Sequence, residues 1–449
     1  MNREGITDLS VVLGGVRLRN PIGVGSIGSP LIRRERLTPQ REAEMLLKHV
    51  AAGAGYINLP GSRHVSRELY NDLMKTAKHF HFTDAKRGFR FMKNQTPGMA
   101  NEGLYLMGSL VAQPDNRIKQ FEDYTSKVIE ILKREKPKDI PLVANINGFG
   151  AFPETWVSGA NVHEQAGVDM IEINVSCAHG GSMEDAVEDY FEQRFPMCNP
   201  GLLVGDQVNL VADITEKVVR AVSLPVGVKL SPETGFPRIV EMAKRLKEAG
   251  AKFINCSNNA VVIVPPDIYR GGKSKWPFTD ENPFVAGSGS WMRMITYKQI
   301  AAIAKFVPGI DLIATGGLTV PEHTVEAMML GARATETATA VMYSGRGFLK
   351  RQIRFLQRYM ETQGYHSVED FIGLGLKYIT PAEKVDFKIG KIYAEVDSLK
   401  CTGCGICADQ MCLAMEMENK IAKVNIDDCL GCGMCVALCP KGAVSVKLK

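Results

Sequence analysis

The chain has 449 residues, 45% hydrophobic and 23% charged, with 54 basic against 49 acidic side chains and a net charge of +5; at roughly one domain per 100 to 200 residues this allows two or three domains. So even a charge balance argues against the clustered basic surface of a nucleic-acid binder. No stretch reaches about 18 consecutive apolar residues and the polar start Met1-Asn-Arg-Glu-Gly-Ile lacks a signal peptide's apolar core, so neither a membrane span nor export is expected, and the expected location is cytoplasmic.

In chain order, Leu9 to Leu18, broken by Gly14-Gly15, predicts a hairpin. Short β-branched runs follow at Ile22 to Ile27, Tyr56 to Leu59, Leu142 to Ile146, Met170 to Ile173, Val226 to Leu230, Phe253 to Cys256, Leu312 to Ala314 and Thr335 to Thr337. Amphipathic helical patterns lie between them, at Arg41 to Ala51, Val208 to Val222, Pro237 to Ala249, Lys298 to Phe306 and Pro321 to Leu330. Alternation of this kind means parallel strands with helical crossovers. Eight units over about 350 residues fit a (β/α)8 barrel, that is, a TIM barrel, better than an open sheet.

A barrel demands that catalytic groups sit at the carboxyl ends of strands. Asn174-Val-Ser176-Cys177 follows the fourth run, Lys229 ends the fifth, Asn258-Asn259 follow the sixth and Thr315-Gly316-Gly317 ends the seventh. The stretches Val175 to Gly205 and Asn258 to Gly287 are too long for ordinary connections and are expected to be lids. Gly316-Gly317, with Gly287-Ser-Gly289 before it and Ala338-Thr339-Ala340 after it, supplies bare backbone N–H groups where such barrels bind phosphate; turn formation is the alternative role for these glycines. Gly23-Val-Gly25-Ser-Ile-Gly28 matches the dinucleotide fingerprint, but Pro30 and the charged run Arg33 to Arg36 stand where a helix should open, so the match is rejected. These glycines are expected instead to leave bare backbone along the first strand.

Eight of the 11 cysteines fall in the last 49 residues. They read Cys401-Thr-Gly-Cys404-Gly-Ile-Cys407 with Cys412 beyond, then Cys429-Leu-Gly-Cys432-Gly-Met-Cys435-Val-Ala-Leu-Cys439-Pro440. The second run is a full C-x2-C-x2-C-x3-C-P, whose fourth cysteine ligates the other cluster of a two-cluster ferredoxin. One 4Fe-4S cluster is therefore assigned to Cys401, Cys404, Cys407 and Cys439, the other to Cys429, Cys432, Cys435 and Cys412. Zinc ribbons and disulfide frameworks are the competing readings, and neither explains two triple runs. The tail resembles bacterial ferredoxins over residues 393 to 449. From Lys391 on, seven lysines balance seven acidic residues, so the net charge belongs to the rest of the chain.

Asn20-Pro-Ile-Gly23, Asn174-Val-Ser-Cys-Ala-His179-Gly180, Val228-Lys229-Leu230, Ser257-Asn-Asn259, Gly287-Ser-Gly289 and Ile313-Ala-Thr-Gly-Gly317 together resemble the dihydroorotate/dihydropyrimidine dehydrogenase family of FMN barrels, over residues 8 to 345. The joined ferredoxin tail and His179 point to its dihydropyrimidine branch. The resemblance implies that Cys177 is the active-site acid, exchanging a proton with the substrate carbon opposite the one that exchanges hydride with the flavin; Cys198 is the runner-up, and Cys256 is expected to be core. It implies that Lys229 stabilises the reduced flavin, with Gly287, Gly289, Gly316, Gly317, Thr339 and Ala340 completing the FMN site. Asn174, Ser176, His179, Asn258 and Asn259 are the expected substrate contacts, since a carboxamide offers both donor and acceptor to a ring imide. The chain departs from the family where Leu59-Pro60-Gly61 replaces a lysine, Leu104-Tyr105-Leu106 an asparagine and Ala178 a proline.

The expected organisation is an FMN barrel over 1 to 372, a linker over 373 to 392 and a ferredoxin domain over 393 to 449. The expected function is reduction of a C=C bond beside a carbonyl, or the reverse, with uracil or thymine as substrate. The alternatives are a ferredoxin-linked reductase of another conjugated carbonyl compound and a non-catalytic electron-transfer subunit. With no nucleotide site in the chain, a reductase subunit carrying FAD and NAD(P), or a free ferredoxin, is the expected electron partner, and an oligomer is expected.

Overall fold

The computed structural model describes residues 7–27, 37–62, 64, 68–69, 86–92, 104–110, 117–148, 152–176, 202–275, 284–385 and 390–448, with backbone alone at 86–92, 104–110, 117–123, 202–203 and 284–285. The chain divides into two compact units, 1–379 and 380–449. In the first, eight parallel strands form a nearly closed barrel: β1 (Ile22–Val24), β2 (Ile57–Asn58), β3 (Leu142–Ile146), β4 (Met170–Asn174), β5 (Val226–Lys229), β6 (Phe253–Cys256), β7 (Asp311–Thr315) and β8 (Ala334–Thr337). They are hydrogen-bonded in the order β1-β8-β7-β6-β5-β4-β3-β2. Each predicted run overlaps one of these strands, with β4, β7 and β8 extending one residue past the run at one or both ends. Among the described residues one α-helix of eight residues or more follows each: α1 (Pro39–Ala51), α2 (Arg117–Glu135), α3 (Pro153–Ala166), α4 (Val208–Ala221), α5 (Arg238–Glu248), α6 (Arg293–Phe306), α7 (Glu322–Met329) and α8 (Gly347–Gln363).

The period of two along a strand builds the barrel's layers. Leu142, Ala144 and Ile146 of β3, Ile171 and Ile173 of β4, Val226 and Val228 of β5, and Ile254 and Cys256 of β6 pack outward into one core with the helices. The alternate residues Val143, Met170, Phe253, Ile313 and Ala334 point inward and join a second core that includes the hairpin Val11–Leu13/Val16–Leu18, which Gly14 N ties to Asp311 Oδ2 at 2.7 Å, at the amino end of β7. The hairpin therefore plugs the amino end of the barrel. Gly227 is required there because any Cβ would lie 2.3 Å from the Phe253 ring.

Two expectations change. The stretch from Asn258 to Gly287 holds strands Ala260–Ile263 and Phe284–Ser288, which join Leu104–Leu110 and Lys86–Met92 in a four-stranded antiparallel sheet. Leu374–Tyr378, assigned to a linker, is a 3-10 helix of the barrel unit, where Gly373 N donates to Met328 O at 2.9 Å and Lys305 Nζ to Leu376 O at 3.4 Å. In the second unit, Ile392–Val396 pairs with Val444–Leu448, and Met415–Glu418 with Ile421–Val424. Among the described residues no helix is long and apolar enough to cross a membrane.

Candidate active site

Above the apolar inward layer of the barrel the same alternation places a layer of polar side chains. Asn58, Asn145, Glu172, Lys229, Asn255, Thr315 and Glu336 are all at least nine-tenths buried. Burying such groups is tolerable only with partners. Asn58 Nδ2 donates to Oε1 of both Glu172 (3.2 Å) and Glu336 (2.8 Å), and Asn255 Nδ2 to Oε2 of both (2.7 and 3.0 Å). Asn145 Nδ2 donates to Glu172 Oε1 at 2.5 Å; Tyr56 OH and Thr315 Oγ1 donate to Glu336 at 3.2 and 3.0 Å. Lys229 Nζ lies 3.7 Å from Glu336 Oε2. Burial pushes the Glu172 carboxyl above its ordinary range, with the Glu336 charge adding to this and Lys229 opposing it. Burial and the same two carboxyl groups push the Tyr56 phenol well up.

A chain of carboxamides leads from this layer towards the carboxyl end: Asn174 Nδ2 donates to Asn145 Oδ1 at 3.1 Å, and Asn258 Nδ2 to Asn174 Oδ1 at 2.9 Å. Ser288 Oγ donates to Asn259 Oδ1, and Ser176 Oγ to the Lys229 carbonyl at 3.3 Å. The sequence-predicted residues Asn174, Ser176, Lys229, Asn258 and Asn259 thus meet at one end of the barrel. Cys177, His179 and Cys198 lie outside the described residues, so the acid and its neighbours are not placed. Cys256 faces the outer core, where burial raises its thiol.

The rim fits a phosphate-bearing ring cofactor through bare backbone. Gly316 and Gly317 have φ of +112° and +79°, which L side chains adopt only with strain, and a Cβ on Gly317 would stand 2.2 Å from Arg293 N. Thr339 and Ala340 open a short helix, Thr339–Ser344, directly after β8, while Gly287 lies within the added sheet and Gly289 precedes Ser290 to Met292 and then α6. Loops after strands seven and eight and such a short helix are where barrels of this kind take phosphate. Gly25, whose Cβ would sit 3.7 Å from Glu336 Oε2, leaves the end of β1 open over the polar layer. The buried Asn147 Oδ1 and Thr337 Oγ1 have no partner among the described residues.

The polar layer is what sequence reasoning missed. Its signal is a polar residue at the centre of an apolar or β-branched run: Ile57-Asn58-Leu59, Ala144-Asn145-Ile146, Ile171-Glu172-Ile173, Ile254-Asn255-Cys256 and Thr335-Glu336-Thr337.

In the second unit Cys401, Cys404, Cys407 and Cys439 line one cavity. Three come from one loop and the fourth from 32 residues later, the crossed set read from the spacing. Cys429 and Cys435 pack with Cys412 in the small core of the same unit. Among the described residues no three His, Cys, Asp or Glu groups converge on a single metal ion; thiols ringing a cavity suit a multi-iron cluster instead. Backbone N–H groups point at the sulfurs: Ala443 N to Cys439 Sγ at 3.2 Å, and Ala394 N and Gly431 N to Cys429 Sγ at 3.3 and 3.4 Å. Although burial opposes it, the amides of Ala443, Lys441, Val444 and Gly442 hold the Cys439 thiol below its ordinary value, as suits a thiolate ligand.

Comparison with known proteins agrees with both sites. The dihydroorotate dehydrogenase family matches residues 118–360, more than half of the chain, and a 4Fe-4S dicluster domain matches residues 393–440. The catalytic subunit of dihydroorotate dehydrogenase B (NAD(+)) from Methanothermobacter thermautotrophicus is 30% identical over 238 residues, 53% of this chain and 69% of that protein. The corresponding subunit from Thermoplasma acidophilum is 27% identical over 255 residues, 57% of this chain and 74% of that protein. The NAD-dependent dihydropyrimidine dehydrogenase subunit PreA of Escherichia coli K12 is 28% identical over 324 residues, 70% of this chain and 73% of that protein. The chain belongs to the dihydroorotate dehydrogenase family, as an FMN- and iron-sulfur-dependent oxidoreductase whose TIM barrel is followed by a domain for two 4Fe-4S clusters.

Proposed function

We propose that this chain is the catalytic subunit of a cytoplasmic dihydropyrimidine dehydrogenase-like enzyme, interconverting uracil or thymine and the 5,6-dihydro form. The observation that carries the reading is the union of flavin barrel and two-cluster tail in one chain, together with the 324-residue match to a dihydropyrimidine dehydrogenase subunit. FMN supplies the acceptor or donor of the hydride. Lys229 holds a positive charge at the flavin, and the glycines at 316–317 with Thr339 and Ala340 hold its phosphate, joined by Gly287 and Gly289. Asn174 and Asn258 present amide edges to the imide of the ring, with Ser176, His179 and Asn259 around it. Cys177 gives or takes the proton at the ring carbon. The electron-transfer domain covers 393 to 449, where the eight cysteines would hold two 4Fe-4S clusters supplying electron exchange with an FAD- and NAD(P)-binding subunit or a ferredoxin within an oligomer.

A second reading, in which the substrate is another conjugated carbonyl compound, is favoured by Pro60 and Tyr105, which stand where the family resemblance led us to expect a lysine and an asparagine. Titrating the reduced flavin spectrally with uracil, thymine, orotate and simple enoates separates the two. Rapid reoxidation by uracil or thymine, lost in Cys177→Ala, is the expected result. Reoxidation only by orotate or an enoate would overturn the pyrimidine reading. Full turnover in both Cys177→Ala and Lys229→Ala would leave only an electron-transfer role.

A further inference from the structure

The polar layer contains an imbalance. Two carboxyl groups, Glu172 and Glu336, are fully buried and bridged at both oxygens by Asn58 and Asn255, yet among the described residues the layer holds one cation, Lys229. With both ionised, a net negative charge would be sealed in the barrel, which is strongly disfavoured. The donors are unequally divided. Glu336 receives Tyr56 OH, Thr315 Oγ1 and the Lys229 ammonium besides the two amides, whereas Glu172 receives only amides.

We infer that Glu172 keeps a proton at neutral pH while Glu336 stays ionised against Lys229, and that this neutral triad sets the reduction potential of the flavin at the barrel mouth. Burial raises the Glu172 carboxyl against the opposing Lys229 charge, and the Glu336 charge adds to the rise, in agreement with that assignment. The titratable groups facing the pair among the described residues are Tyr56 and Lys229. Because Glu336 offsets the Lys229 charge, the cation favours the reduced, anionic flavin less than a lone lysine would. Glu172 and Glu336 are positioning residues: they act through Lys229. The inference rests on the flavin lying beside Lys229, and not on which substrate is used.

Two measurements test it. Infrared difference spectra of the flavin-free protein should show a buried carboxylic acid C=O band that is absent in Glu172→Gln. In the flavin-loaded protein, Glu336→Gln should raise the ratio of reduced to oxidised flavin at fixed potential at least tenfold, about 30 mV for a two-electron couple, while Glu172→Gln moves it less than about twofold. Absence of the acid band overturns the stored proton whatever the flavin does. A band present with an unmoved potential in Glu336→Gln overturns the coupling to the flavin. Equal shifts in the two variants overturn the assignment to Glu172. Failure of uracil or thymine to reoxidise the flavin would overturn only the substrate reading above.

Discussion

The two units solve the problem of holding a cofactor in opposite ways. In the barrel, an inner and an outer apolar core surround a polar layer whose side chains largely satisfy one another, so the site is built before any ligand arrives. In the tail the buried residues are Ala394, Cys407, Met415, Ala422, Val444 and a few neighbours, while Leu399 and Leu413 are 96% and 91% exposed. A core that small does not by itself offset the conformational entropy of about 70 residues, and folds of this kind lean on metal ligation. The barrel's fold makes its site; the tail's clusters make its fold.

The largest expected effect breaks this comparison if it fails. Chelating the iron, or replacing Cys407 or Cys435 by serine, should abolish protection of residues 380–449 in limited proteolysis followed by mass spectrometry. The barrel fragment should stay intact; coincident loss of both units would contradict it. Next, Lys229→Ala leaves Glu336 buried without its cation, which should cost about 3 to 5 kcal/mol in denaturant unfolding of the barrel unit, with loss of flavin on dialysis. Gly317→Ala demands a left-handed alanine and a Cβ pressed on Arg293 N, a strain of about 1 to 3 kcal/mol, and should weaken flavin retention while leaving the iron content unchanged. The last effect is in pH. Burial holds His49 and His163 down to about 4 and His64 to about 3. The unfolded chain takes up protons on these residues below its own value near 6.5 while the native barrel does not. Barrel stability should therefore be complete above pH 6.5 and fall towards pH 4, by up to about 1.4 kcal/mol per pH unit for each histidine. His163→Gln should flatten that slope by one histidine's share.

Much of this was legible in the residues. The eight strands stand out because a strand buried on both faces reads as a short apolar run bounded by polar turns, and the cluster ligands because thiolates on an iron-sulfur cube require close spacing. The added antiparallel sheet was not legible. Lys86-Arg-Gly-Phe-Arg-Phe-Met92 has as many charges as apolar residues on its way to a partner 12 residues on, and Ala260–Ile263 looks like part of a loop until Phe284–Ser288 pairs with it. The polar layer escaped for a different reason: Glu172 and Glu336 lie within strands, whereas a barrel's functional groups are expected at strand ends. Only the barrel's closure brings two carboxyl groups 164 positions apart in sequence onto the same two amides.

One joint of the barrel differs from the other seven. Between β1 and β2 there is no ladder; Gly55 N donates to Ile22 O at 2.8 Å and Ser26 Oγ to Leu59 O at 2.7 Å. Local opening of a fold begins where few bonds must break together. In deuterium solvent the amides of β1 and β2 should accordingly exchange ahead of those of β4 to β7, and the same seam, running up to Pro60, is the line along which a side chain can be replaced without disturbing a ladder. The sequence departs from the family resemblance on that line, at Pro60, where the barrel has least to lose by change.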